Sequence, residues 1–127
     1  MSIPVTGMAS GLERMKVVPS HGSSRIRHIL PMPVGACPVS RNPISGTVAI
    51  AYRPPGMALE VVSLADALAW ATGRNEGAPR SVEELAAWLA REACASLGAP
   101  VAVRLDLIIN PGPQRIVVEH AVLPRNP

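Results

Sequence analysis

Phenylalanine is absent from the chain, and Trp70, Trp88 and Tyr52 are its only Trp and Tyr residues. A core without large rings must be filled by Ala, Val, Leu, Ile and Met, which bury little area each at roughly 25 cal/mol per Å² of apolar surface. Such a core is thin, and subunit contacts are the expected supplement in a small chain. Cysteine is scarce. Cys37 and Cys94 stand alone, with neither the density of a disulfide framework nor the CxxC spacing of a zinc or redox pair, so both are read as free thiols. Apolar runs fall far short of the roughly 20 residues that span a bilayer, and Met1 to Ser24 carry no apolar block of signal-peptide type. A soluble, cytoplasmic protein with no membrane partner is expected. The net charge of +3 is mild, and the arginines are spread rather than gathered into a stripe with stacking aromatics. A nucleic-acid partner therefore has little support, and a basic patch suits a small anionic molecule better.

What the chain does have is 48 % hydrophobic residues over a length of 127, enough for one domain with a core of its own. Met1 to Ser24 mix Ser, Gly, Pro and Met without a sustained period, and read as a flexible tail; residues 25–127 read as a single domain. Arg25 to Leu30 alternate as a first strand, ended by Pro31, Pro33 and Gly35. A turn-rich segment from Cys37 to Gly46 leads into the alternating, β-branched run Thr47 to Arg53. Pro54-Pro55-Gly56 is a turn and Ala58 to Val62 a short extended piece. Ser63 with Asp66 has the form of a helix N-cap pair, with Gly73 placed to stop a helix of about three turns. Ser81-Val-Glu-Glu84 is a capping box for a second helix, which runs through Leu85, Leu89 and Ala93 to Gly98 and Pro100. Val101 to Ile109 and Gln114 to Val122 alternate as strands of a hairpin around Asn110-Pro-Gly-Pro. The order is two strands, two helices, two strands: an α+β domain.

Cys37-Pro-Val-Ser-Arg-Asn-Pro43, then Thr47, Tyr52 and Pro54, then Glu60 and Ser63-Leu64, is similar to the pattern CPxTxxPD, T, Y, P and ESKSL of the 7-cyano-7-deazaguanine (nitrile) reductases. The spacing from the Cys to the Tyr and the Pro is retained without a gap. With Gly46 included, the same spacing also resembles the GTP cyclohydrolase pattern CEHHLLPFxG followed by HVAYIP. In the second helix, Val82-Glu-Glu-Leu-Ala is similar to the family's HEELA segment. The likeness runs from about Ile26 to Glu119. It implies the tunnelling fold, a ββααββ unit with an antiparallel sheet, two helices on one face, and subunits joined into an oligomeric barrel with active sites at their interfaces. A homo-oligomer acting on a deazapurine-, purine- or pterin-like heterocycle follows from it.

By position, the resemblance assigns Cys37 as the catalytic nucleophile that adds to a nitrile carbon to give a covalent thioimide, a task for a soft nucleophile. It assigns Glu83, Glu60 and Ser63 to substrate binding. The helical period agrees for Glu83, because Ala87, Ala90 and Cys94 on its own line form an apolar stripe that would turn the carboxylate inward or into an interface. There it would accept two N–H bonds from a 2-amino-pyrimidinone edge. An acidic residue in a first helical turn is also favoured by the dipole alone, the reading that suits Glu84. Several family positions differ. Ile44 stands where the reductases have a proton-donating Asp and Val82 where they have a His, while Val62 and Ala65 replace the lysines that would meet NADPH phosphates. The cyclohydrolase zinc ligands fall on Val39, Ser40 and near Pro111, so zinc is not expected. Reduction, amine addition as in the amidinotransferases of archaeosine synthesis, a non-catalytic heterocycle-binding module, and a zinc-independent cyclohydrolase-like hydrolase stay open. His28 and His120 read as ordinary strand residues, Trp70 as core and Trp88 as an interface residue.

Overall fold

The computed structural model describes residues 15–21, 24–33, 35–36, 43–110 and 114–125. In chain order the elements are β1 (Val17–Pro19), β2 (Ile26–Pro31), β3 (Gly35–Ala36), β4 (Pro43–Tyr52), β5 (Met57–Leu59), α1 (Val61–Thr72), α2 (Val82–Leu97), β6 (Val101–Ile109) and β7 (Gln114–Val122). Over the described residues the protein is α+β, with antiparallel sheets and two helices. The main sheet runs β2-β4-β6-β7, with β3 paired to β4, and β1 and β5 form a separate ribbon. No helix among the described residues is long and apolar enough to cross a membrane.

Alternation builds the core. Ile44, Val48, Ile50 and Tyr52 of β4 and Val101, Val103, Leu105 and Leu107 of β6 are buried. The register sets Val48 opposite Leu105 and Ile50 opposite Val103, so these residues share one face of the sheet. Helix α2 covers that face over β6 and β7, burying Leu85, Ala86, Leu89, Ala90, Ala93, Cys94 and Leu97. Alanines at the contact let the helix approach closely, which is how the core fills without Phe. Helix α1 adds Leu64, Ala67, Leu68 and Ala71.

The capping signals were decisive for α2. Ser81 Oγ accepts the Glu84 N–H at 3.1 Å, Glu84 Oε1 accepts the Arg80 N–H at 2.9 Å, and Gly98 closes the helix in the left-handed conformation, as expected from Ser81 and Gly98. The β6–β7 hairpin also lies where alternation put it.

Elsewhere the structure corrects the sequence reading. The first strand is β1, ahead of Arg25: it pairs with β5, Val18 opposite Ala58, and Met15 beside it is buried. Strand β4 starts at Pro43 rather than Thr47, because β3 pairs with its first two residues. Helix α1 starts at Val61, not after a Ser63 cap. Its N-cap is Glu60, in extended conformation, whose carboxylate accepts from Val62 N–H at 2.7 Å and Ser63 N–H at 2.8 Å. Trp70 is half-buried rather than core, and packs on the half-buried Trp88 with ring centroids 5.5 Å apart.

Candidate functional site

Cys37, the nucleophile assigned by resemblance, lies outside the described residues, as do Val39, Ser40 and Pro111. The structure fixes what flanks Cys37. Ala36 of β3 faces Pro43 of β4, and Gly35 faces Ile44, so the six residues from Cys37 to Asn42 join two paired strands. Ile44, at the position of the family Asp, is only 7 % exposed on the core face of β4. An apolar side chain packed there supplies no proton.

Glu60 and Ser63 belong to one knot of hydrogen bonds at the start of α1. Ser63, 8 % exposed, donates its hydroxyl to the Glu60 carbonyl at 3.1 Å and accepts the Lys16 backbone N–H at 2.9 Å. The Glu60 N–H in turn donates to the Lys16 carbonyl at 2.8 Å. The hydroxyl therefore ties the residue preceding β1 to the helix, and its single donor is spent. Two backbone N–H groups and the nearby Lys16 charge hold the Glu60 carboxyl below its ordinary range, the Val62 N–H most strongly. A carboxylate kept ionised by a helix terminus is a cap first.

Glu83 stands apart from this knot. It lies exposed in the first turn of α2, and its carboxylate has no hydrogen-bond or ionic partner among the described residues. Ala90 and Cys94 on its line are buried, so the stripe is there, but Glu83 does not turn into the core of its own chain. Its acceptors are free for a ligand. Cys94 is buried inside α2 and burial pushes its thiol pKa up, which makes it a small hydrophobe rather than a nucleophile. At the family's lysine positions, Val62 is 62 % exposed and Ala65 is exposed. These positions face water but offer no cation to a phosphate, so the chain does not fit the reductases' NADPH pattern.

Sequence reasoning missed a polar pair between β2 and β4. His28 Nε2 and Tyr52 Oη lie 2.8 Å apart with stacked rings, and the buried Leu59 N–H donates to Tyr52 Oη at 2.8 Å. Tyr52 Oη thus accepts from Leu59 while sharing a hydrogen bond with Nε2 whose direction is set by the imidazole tautomer. Burial lowers the His28 pKa and raises that of Tyr52, keeping both neutral. The available signal was a Tyr on the inward positions of a strand, whose hydroxyl must find a partner when buried. His120 is exposed. Arg115 makes a bidentate pair with Asp106 across the β6–β7 hairpin, at 2.8 and 2.7 Å.

No family model matches the chain, and no curated protein is found similar to it. The residues and their geometry carry the functional reading.

Proposed function

We propose that this chain is a tunnelling-fold protein, related to the nitrile reductases, that binds a deazapurine-, purine- or pterin-like heterocycle through Glu83 and attacks it covalently through Cys37. The carrying observation is the free, exposed carboxylate of Glu83 in the first turn of α2, within an α+β chain of paired strands around two helices. Two acceptor oxygens on a rigid helix suit the two N–H donors of a 2-amino-pyrimidinone edge. On a nitrile, the Cys37 thiolate adds to carbon, the nitrogen takes a proton, and a thioimide results. Strands β2 and β7 each have one neighbour in the main sheet. Their free edges support the joining of sheets into a homo-oligomeric barrel in which a second subunit completes the site.

The buried Ile44 favours a second reading, a heterocycle-binding module without turnover, because the reductases' proton donor is replaced by a packed side chain. One pair of variants separates the two. With 7-cyano-7-deazaguanine as probe, Glu83→Gln turns one acceptor into a donor facing a ligand donor, and binding measured by calorimetry falls by a factor of about 30 to 1,000. Cys37→Ala leaves reversible binding within a few-fold and abolishes the adduct seen by intact mass spectrometry. Unchanged binding in Glu83→Gln removes the anchor; a wild-type protein that binds the ring without an adduct is the binding module.

A further inference from the structure

The face of the main sheet turned away from the helices carries a second candidate site. Its register places Arg27, Ala51, Ala102 and Ala121 in one row across four strands, and Ile29, Ala49, Arg104 and Glu119 in the next. Four alanines thus form a low, apolar floor. Two depressions of about 680 and 720 Å³ meet over it and share Ala51, Ala102 and Ala121. Arg27 and Arg104 line one of them, and Arg25 and Arg53 the other.

The charges around this floor do not balance. Glu119, which lines the smaller depression, is taken by Arg104 at 3.2 Å. Arg25, Arg27 and Arg53 have no carboxylate partner among the described residues. Ile26 is opposite Tyr52, so the same register carried one residue further sets Arg25 against Arg53. Like charges directly across a strand pair are destabilising. A sheet that gathers three uncompensated guanidiniums at one end, over short side chains that leave space between them, is built to receive negative charge.

We propose that this open face binds a phosphorylated ligand with a planar ring, the ring lying on the alanine floor and the phosphates held by Arg25, Arg27 and Arg53. The site is separate from Glu83, which lies on α2 against the opposite face of the sheet. ATP and inorganic tripolyphosphate, titrated calorimetrically in low salt, serve as probes. ATP is expected to bind at least threefold more tightly than tripolyphosphate, because only ATP uses the floor. Arg27→Gln and Arg53→Gln are each expected to weaken ATP at least fivefold, while Arg91→Gln on the exposed side of α2 leaves it unchanged. All three replace exposed residues, and matching thermal melts verify that they fold. The proposal is overturned if ATP does not bind, if tripolyphosphate binds as tightly as ATP, or if Arg91→Gln weakens binding as much as the groove variants do.

Discussion

Replacing Gly46 by alanine tests how the strand leading from the Cys37 segment is seated. Gly46 has φ of +133°, and a Cβ built on it would collide with the Asp106 carbonyl oxygen and meet the Leu107 Cα at 2.9 Å. Both are backbone atoms of β6, Leu107 being directly across from Gly46 and Asp106 its neighbour in the register, so no side-chain rotation relieves the contact. Two costs add. Holding a residue with a Cβ at positive φ costs about 1 to 2 kcal/mol, and forcing a packed region apart costs about 1 to 3 kcal/mol more. The expected loss is about 2 to 5 kcal/mol, or a fall in Tm of about 8 to 20 °C at about 4 °C per kcal/mol. Gly56 supplies the control, since its φ is +91° but nothing lies within 4 Å of its would-be Cβ. Gly56→Ala bears the conformational cost alone. Thermal and urea unfolding of both variants isolates the steric part as their difference. If Gly46→Ala is within about 0.5 kcal/mol of Gly56→Ala, the close approach of β4 to β6 is wrong.

Tyr52→Phe leaves the buried Leu59 N–H without its acceptor and should cost about 1 to 3 kcal/mol in urea unfolding; an unchanged midpoint would mean that water replaces the hydroxyl. Because burial lowers the His28 pKa, the unfolded chain takes up this proton first. Its contribution to stability is therefore complete above the ordinary imidazole value of about 6.5 and is lost as pH falls below it toward the folded value. Melts between pH 8 and pH 5 should show that decline, and His28→Gln should flatten it; an identical slope in the variant would assign the decline to other groups. Light scattering at micromolar concentration is expected to give a multiple of the 13.3 kDa chain, and a monomer would remove the barrel.

The parts of the fold legible in the sequence are those set by neighbours along the chain. Ser81 and Gly98 cap α2 with groups within four residues, and the alternation of β6 needs only its own side chains. The start of α1 was not legible, because Ser63 is the better local cap while Glu is not among the favoured N-cap residues. What settles it is a bond from Ser63 to Lys16, 47 residues away. Strand β1 escaped for the same reason: three residues ending in Pro19 have no strand signal until β5 lies beside them. For Glu83, helical period gives a direction around the axis of α2 but not whether the core reaches its first turn. Trp70 and Trp88 were assigned singly, and their contact across two helices is likewise a tertiary fact.

The positions that carry the resemblance divide by what they do in the fold. Gly46 is required by the passage of β4 against β6. Tyr52 satisfies a buried N–H of β5, Glu60 caps α1, and Ser63 binds that helix to the residue preceding β1. Each has a structural reason to be the residue it is, whether or not any heterocycle binds. A resemblance at these four sites is therefore accounted for by the fold of this chain and adds little about chemistry. Glu83 differs, because its carboxylate meets no partner among the described residues. Cys37 differs too, since its assignment rests on the motif alone. Substitutions at Gly46, Tyr52, Glu60 or Ser63 will disturb function through the fold, so a loss of activity there cannot distinguish an enzyme from a binding module. Under the proposed function Glu83 would carry recognition and Cys37 reaction, so variants of those two residues separate the two readings.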